Sequence, residues 1–208
     1  MSSRGPEAAR LCRLGVSLFQ RGLTPGRTGN LSVRLQDDSI LISPSGTSMG
    51  DLDSETLSRV SLDGTHLDGL PPSKETFLHL ALYRARPQDR GVAHTHSTHA
   101  AAVSCLADLD DGNALPSLTA YYTMRVGRLP RLPYYSPGDD ALGPIAESTA
   151  RDHPALLLSN HGPIASGRDL ATAVDIIEEI EETARLFLLL DGRNIRLVPH
   201  DPTEDRRL

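Results

Sequence analysis

Residues 91–103 read GVAHTHSTHAAAV, and the reading of this stretch decides the reading of the rest. Residues 91–96 have the short apolar character of a β-strand, and residues 97–106, STHAAAVSCL, that of the helix after it. Side chains two apart on a strand share a face. His94 and His96 therefore project together, about 7 Å apart along the backbone. Two imidazoles on that pitch can converge on one metal ion. The same pair is compatible with polar residues on an exposed face, but a strand end is where an α/β sheet delivers residues to a cleft.

Working outward, residues 8–21 predict a first helix with Leu11, Leu14, Leu18 and Phe19 on one face, broken by Gly22, Pro25, Gly26 and Gly29. Residues 31–35 and 40–43 predict two strands, and residues 57–62 lead through Asp63-Gly64 into a hairpin. Ser73 is a candidate N-cap for a helix whose apolar face is Phe77, Leu78, Ala81, Leu82 and Ala85. Residues 154–160, PALLLSN, predict a short buried strand, followed by a tight loop at Gly162 and Pro163. Asp169 can cap a long last helix with its apolar stripe running from Leu170 to Leu188 and its end at Gly192. Interspersed helices and strands with an antiparallel hairpin predict an α/β sandwich with a mixed sheet, neither a barrel nor a pure Rossmann order.

The 208 residues suit a single domain spanning 1–208, with 38% hydrophobic and 23% charged residues. Cys12 and Cys105 are isolated thiols, which suits a reducing, cytoplasmic location. Residues 1–10 hold no apolar signal core, and no run approaches the roughly 20 residues of a membrane span. A net charge of −6 without a basic block argues against nucleic acid as a partner, while leaving a local anion site open.

Further ligands are available for the His94–His96 pair. His161 closes the second apolar strand. Glu75 lies in the first turn of the helix after Ser73, where the helix dipole favours a carboxylate in any case. His79, one turn later, could compete as a ligand. His99 falls on the next helix and reads as a supporting or structural residue, and His66, His153 and His200 carry no signal. A cupin would follow the His-x-His pair closely with a glutamate, and the next one is Glu147. A metal-dependent amidohydrolase barrel needs about 250 residues.

In order along the chain stand GNLSVR (29–34), ISPSG (42–46), PSKETFLH (72–79), AHTHS (93–97) and NHG (160–162). Together they resemble the class II sugar-phosphate aldolase and adducin superfamily, and 118–139 with the last helix is most similar to its 3-oxo-tetronate 4-phosphate decarboxylases. The resemblance implies a class II aldolase-like three-layer α/β/α sandwich around a mixed, largely antiparallel sheet. It implies one Zn²⁺ per subunit, with Mn²⁺ or Co²⁺ as alternatives, held by Glu75, His94, His96 and His161. Glu75 would leave the metal when substrate arrives and carry a proton. A phosphate pocket would be formed by Gly29, Asn30, Ser45, Gly46, Ser73 and Lys74. The resemblance further implies a homotetramer with its active site at the subunit interface, where a neighbour's tyrosine, Tyr121 or Tyr122, acts as proton donor.

The implied activity is decarboxylation of a small phosphorylated sugar acid, a 3-oxo-tetronate 4-phosphate, to dihydroxyacetone phosphate and CO₂ through a metal-stabilised enediolate. The alternative is aldol cleavage of an L-fuculose-phosphate-like ketose 1-phosphate. Related aldolases use a tail tyrosine, and residues 198–208 contain none, which favours the decarboxylase. An adducin-like interaction module is the non-enzyme alternative, but such heads lack the metal ligands.

Overall fold

The structure is a computed structural model in which residues 5–199 are described. The expected tail segment from His200 onward lies outside the described residues. The strand expected at 91–96 is β5 (Gly91–His94), two residues shorter. Thr95 still donates its N–H to the Pro163 carbonyl at 3.2 Å. The chain then turns into a helix at Thr98–Ser104. His96 has left the pleat, so its direction is set by this turn and not by strand periodicity.

The elements in order are α1 (Gly5–Gln20), β1 (Asn30–Arg34), β2 (Ile40–Ile42), β3 (Ser58–Val60), β4 (His66–Asp68), α2 (Thr76–Ala85), β5, α3 (Thr98–Ser104), α4 (Ala120–Arg125), β6 (Arg131–Leu132), α5 (Leu142–Ala150), β7 (Ala155–Leu158), β8 (Gly162–Gly167) and α6 (Leu170–Leu189). The strands form one sheet in the order β4-β3-β2-β1-β5-β8-β7-β6. Every pairing is antiparallel except β6 with β7. Alternating side chains feed two cores. Leu31, Val33, Ala93, Leu157 and Ala165 pack with α1, α3, α4 and α6 on one face. Val92, Leu156, Leu158 and Ile164 pack with α2 and α5 on the other. The molecule is thus the expected three-layer α/β/α sandwich with a mixed, largely antiparallel sheet. Cover on both faces explains the uninterrupted apolar run of β7.

Three local expectations are corrected. Gly162 and Pro163 do not form a loop; they begin β8, which is buried along its whole length. The segment GPIASG offers little β-propensity, but only small residues fit there: a Cβ on Gly162 would lie 2.3 Å from the Thr95 carbonyl oxygen. Ser73 is not the cap of α2. The helix starts at Thr76 with Glu75 in the cap position and no side-chain cap bond, while the Ser73 hydroxyl accepts from the Glu75 N–H at 3.3 Å. Helix α6 does begin at an Asp169 cap, accepting from the Thr172 N–H at 2.8 Å, but it ends at Leu189, ahead of the left-handed turn at Gly192. No helix among the described residues is long and apolar enough to cross a membrane.

Candidate metal centre

His94, His96 and His161 point their Nε2 atoms at one another. The separations are 3.1 Å for His94–His96, 3.3 Å for His94–His161 and 2.9 Å for His96–His161. The Glu75 carboxylate lies 3.4 Å from His94 Nε2 and 3.2 Å from His161 Nε2. All four ligand atoms fall within 4.8 Å of one another. A tetrahedral zinc site with Zn–N bonds of about 2.0–2.1 Å has donor–donor edges of roughly 3.3–3.4 Å. Three nitrogens already near that spacing, with a carboxylate beside them, fit a divalent cation. Their protonation agrees. His94 Nδ1–H donates to the Pro163 carbonyl at 2.9 Å, which leaves its Nε2 with a lone pair.

Each ligand is fixed by a different element. His94 ends β5, and His161 sits in the three-residue turn between β7 and β8, where Asn160 has a φ of 55°. The His161 N–H donates to the Ser104 hydroxyl at the end of α3, 3.1 Å away. The start of α3 is held by Glu181 of α6, whose carboxylate accepts from the His99 and Ala100 backbone N–H groups at 3.0 and 2.8 Å. Helix α3 is thereby held at its start, two residues after His96, and supports His161 from its end. Gly29 closes the cradle from the β1 side: its φ is 76°, and a Cβ there would meet the His94 carbonyl oxygen at 2.7 Å.

Electrostatics keep the donors ready. Burial alone raises the Glu75 carboxyl, but His94, His161 and the Asn30 amide outweigh it and hold the group well below the usual carboxylate range. Burial, reinforced by the neighbouring His94 and His161, pushes His96 down to about 3, and burial also lowers His94. An ionised carboxylate and neutral imidazoles are what a cation requires.

The residues expected to form a phosphate pocket come from three loops stitched together. Pro44 and Pro72 form an isolated bridge, and the Ser45 N–H donates to the Pro71 carbonyl at 2.9 Å. The Asn30 amide donates to the Ser73 hydroxyl at 3.0 Å and to Glu75 at 2.8 Å. Gly29, Asn30, Ser45, Gly46, Ser73 and Lys74 therefore belong to one region beside the histidines. Ser45, Gly46 and Lys74 are exposed there.

His79 is not a member of the ligand group. It is wholly buried, and burial with the nearby His94 lowers it to about 3. Its ring bridges Asn30 and Ser32, and Ser32 meets the Tyr83 hydroxyl at 2.9 Å. Ser32 and Tyr83 escaped the sequence reading. The signal was there: Glu75, His79 and Tyr83 recur at i, i+4 and i+8, facing Asn30 and Ser32 on one face of β1. His99 turns instead to Glu181, its Nδ1 2.8 Å from the carboxylate.

The two tyrosines part company. Tyr122 is fully buried with no hydrogen-bond partner for its hydroxyl, and burial raises its pKa above the usual phenol range. Tyr121 is 62% exposed, with the Arg125 guanidinium 5.5 Å from its ring centroid. Among the described residues, no hydrogen bond or ring contact joins either to the four-residue group of its own chain.

Comparison with known proteins places the chain in company. The sequence profile described as Class II Aldolase and Adducin N-terminal domain matches residues 9–188. A 3-oxo-tetronate 4-phosphate decarboxylase from Pectobacterium atrosepticum is 45% identical over 201 residues, 97% of this chain and 92% of that protein. An L-fuculose phosphate aldolase from Methanocaldococcus jannaschii is 33% identical over 181 residues, 86% of this chain and 93% of that protein. The crystal structure of YgbL from Escherichia coli superimposes with a TM-score of 0.91 at 42% identity, covering 97% of this chain and 96% of that chain.

Proposed function

The chain belongs to the class II aldolase and adducin family, and from that premise we propose that it is a carbon–carbon lyase that decarboxylates a 3-oxo-tetronate 4-phosphate to dihydroxyacetone phosphate and CO₂. The observation that carries this reading is the convergence of Glu75, His94, His96 and His161 beside a cradle suited to an anion. The decarboxylase relative supplies the substrate class.

Glu75, His94, His96 and His161 would hold one Zn²⁺ per subunit, because three imidazoles and a carboxylate suit that ion. The ion, when bound, supplies a Lewis acid for the keto oxygen, which takes up the negative charge freed beside it. The chain's own residues do the rest. The turns at Gly29–Asn30 and Ser45–Gly46, with Ser73 and Lys74 before α2, bind the phosphate through donors, a helix N-terminus and a positive charge. The C1–C2 bond then breaks. C1 leaves as CO₂, and the electron pair stays on C2, next to the C3 carbonyl. One proton delivered to C2 completes dihydroxyacetone phosphate. Glu75 and Tyr121 of the partner subunit are the proposed proton carriers. The exposure of Tyr121 supports its reaching a neighbouring copy, whereas Tyr122 is buried in its own core. We place the enzyme in the cytoplasm as a homotetramer with its sites between subunits, each chain one domain.

The deciding assay offers purified, metal-loaded enzyme 3-oxo-tetronate 4-phosphates and ketose 1-phosphates and identifies every product. CO₂ and dihydroxyacetone phosphate are expected from the first. Aldehyde release from a ketose 1-phosphate, without CO₂ from the acids, would establish the aldolase instead. The tyrosines have a separate test. Tyr121→Phe is expected to lower kcat by about 10²-fold at unchanged melting temperature. Tyr122→Phe deletes an unpartnered buried hydroxyl, so it is expected to keep activity and gain roughly 1 kcal/mol of stability. Loss of turnover in Tyr122→Phe alone would reverse the assignment.

A further inference from the structure

We infer that His79 is a positioning residue, which anchors the Asn30 amide by its oxygen and through it the placement of both Glu75 and the phosphate donors. This rests on the roles proposed above for Glu75 and the Gly29–Asn30 turn. The geometry allows one consistent direction of donation. Asn30 must turn its NH₂ toward Glu75 and Ser73, since an ionised carboxylate only accepts. Its oxygen then faces His79 Nε2, which must carry the proton. With Nε2 protonated and the ring neutral, His79 Nδ1 accepts, and the Ser32 hydroxyl 2.7 Å away donates to it. Ser32 in turn accepts from the Tyr83 hydroxyl.

The chain Tyr83–Ser32–His79–Asn30–Glu75 is buried throughout. Each donor and acceptor along it is matched, so reversing any link leaves a buried polar group unpaired. A side-chain amide can flip, and its two ends look alike in shape. A flipped Asn30 would present its oxygen to a carboxylate and to an incoming phosphate, both of which repel it. Glu75 sets which way the amide faces, and the His79 Nε2–H on the amide oxygen holds it there. The Asn30 Nδ2 atom is also the one point where the metal-side carboxylate and the Ser73 part of the phosphate cradle share a donor. Misplacing it disturbs both together.

The test compares His79→Leu, which fills the space without a donor, with His79→Gln, which keeps an N–H toward Asn30. His79→Leu is expected to weaken inorganic phosphate binding, measured by calorimetry, about tenfold, and to lower kcat/KM at least about tenfold through both constants, the scale of one well-placed buried hydrogen bond. His79→Gln is expected to stay within about threefold of the original protein in both readouts. A crystal structure of His79→Leu needs no ligand and should show the contact between Asn30 and Glu75 lost. Should His79→Leu fail to fold, Ser32→Ala removes the hydroxyl that holds the His79 tautomer and is expected to move the same readouts by about threefold. Wild-type phosphate affinity and kinetics in His79→Leu, an intact Asn30–Glu75 contact, or equal losses in the leucine and glutamine variants would overturn the inference. If the unaltered enzyme turns over no 3-oxo-tetronate 4-phosphate, the decarboxylase reading falls, and the crystallographic comparison still decides the role of His79.

Discussion

His94→Ala is expected to leave the protein folded, depleted of metal, and slower in kcat by about 10²-fold or more, the usual scale for loss of metal or acid–base function. His94 is the centre of the group: its Nε2 lies within 3.4 Å of His96, His161 and Glu75 alike. It is also the most buried of the four, and its Nδ1–H is anchored on Pro163. Alanine removes a nitrogen that no neighbour can replace, because His79 is committed to Asn30 and Ser32 and His99 to Glu181. The remaining two imidazoles and carboxylate equal the ligand count of some catalytic zinc sites, but they lose the one nitrogen that lies beside all three, so metal affinity is expected to fall steeply. Elemental analysis of the purified variant, read against its melting temperature and its rate, checks this. Near-normal turnover in a metal-free, folded His94→Ala protein would remove the mechanism.

Glu75→Gln is expected to cost kcat a similar factor of about 10² or more, for a different reason. The substitution keeps size and shape, so α2 and the Asn30 network stay assembled. It removes the negative charge that His94 and His161 stabilise and the only buried carboxylate in the ligand group. Affinity for the metal should fall with the lost anionic ligand. The informative measurement is therefore kcat at saturating added Zn²⁺, with metal content determined in parallel. A rate that stays low in the fully loaded variant assigns Glu75 a proton-carrying role; full recovery on loading would reduce it to a ligand. Inorganic phosphate affinity should change little, since the cradle retains its own donors. The position of Glu75 has a price in stability. It occupies the N-cap of α2 without capping, where Ser, Thr, Asp or Asn would contribute about 1 kcal/mol. A local rule of helix initiation is broken at a member of the group that could hold a metal.

The layered fold was legible because its signals are local. The apolar stripe of α6 and its Asp169 cap, the alternation in β1, and the apolar runs of β2 and β7 each lie within a few residues of chain. The ordered short segments around Asn30, Ser45, Glu75, His94 and His161 carried the family. What failed to show was structure imposed from a distance. Strand β8 is a strand because β5 and β7 pair with it on either side, and because glycine lets Thr95 approach, not because GPIASG favours extension. No element was expected over α4, β6 and α5, which are 6, 2 and 9 residues long.

By itself, then, the sequence determined which side chains could serve a metal and an anion, and the fold class that would carry them, since donor chemistry and periodicity are properties of the residues and their spacing. Tertiary structure alone decided which of these groups meet. His96 reaches the centre from a turn after β5. His161 arrives from 65 residues further on, held by α3. His79, equally able to ligate, is spent on Asn30. Tyr122 is sealed in a core while its neighbour faces out. Convergence and burial depend on how distant elements pack, and spacing along a chain does not contain that information.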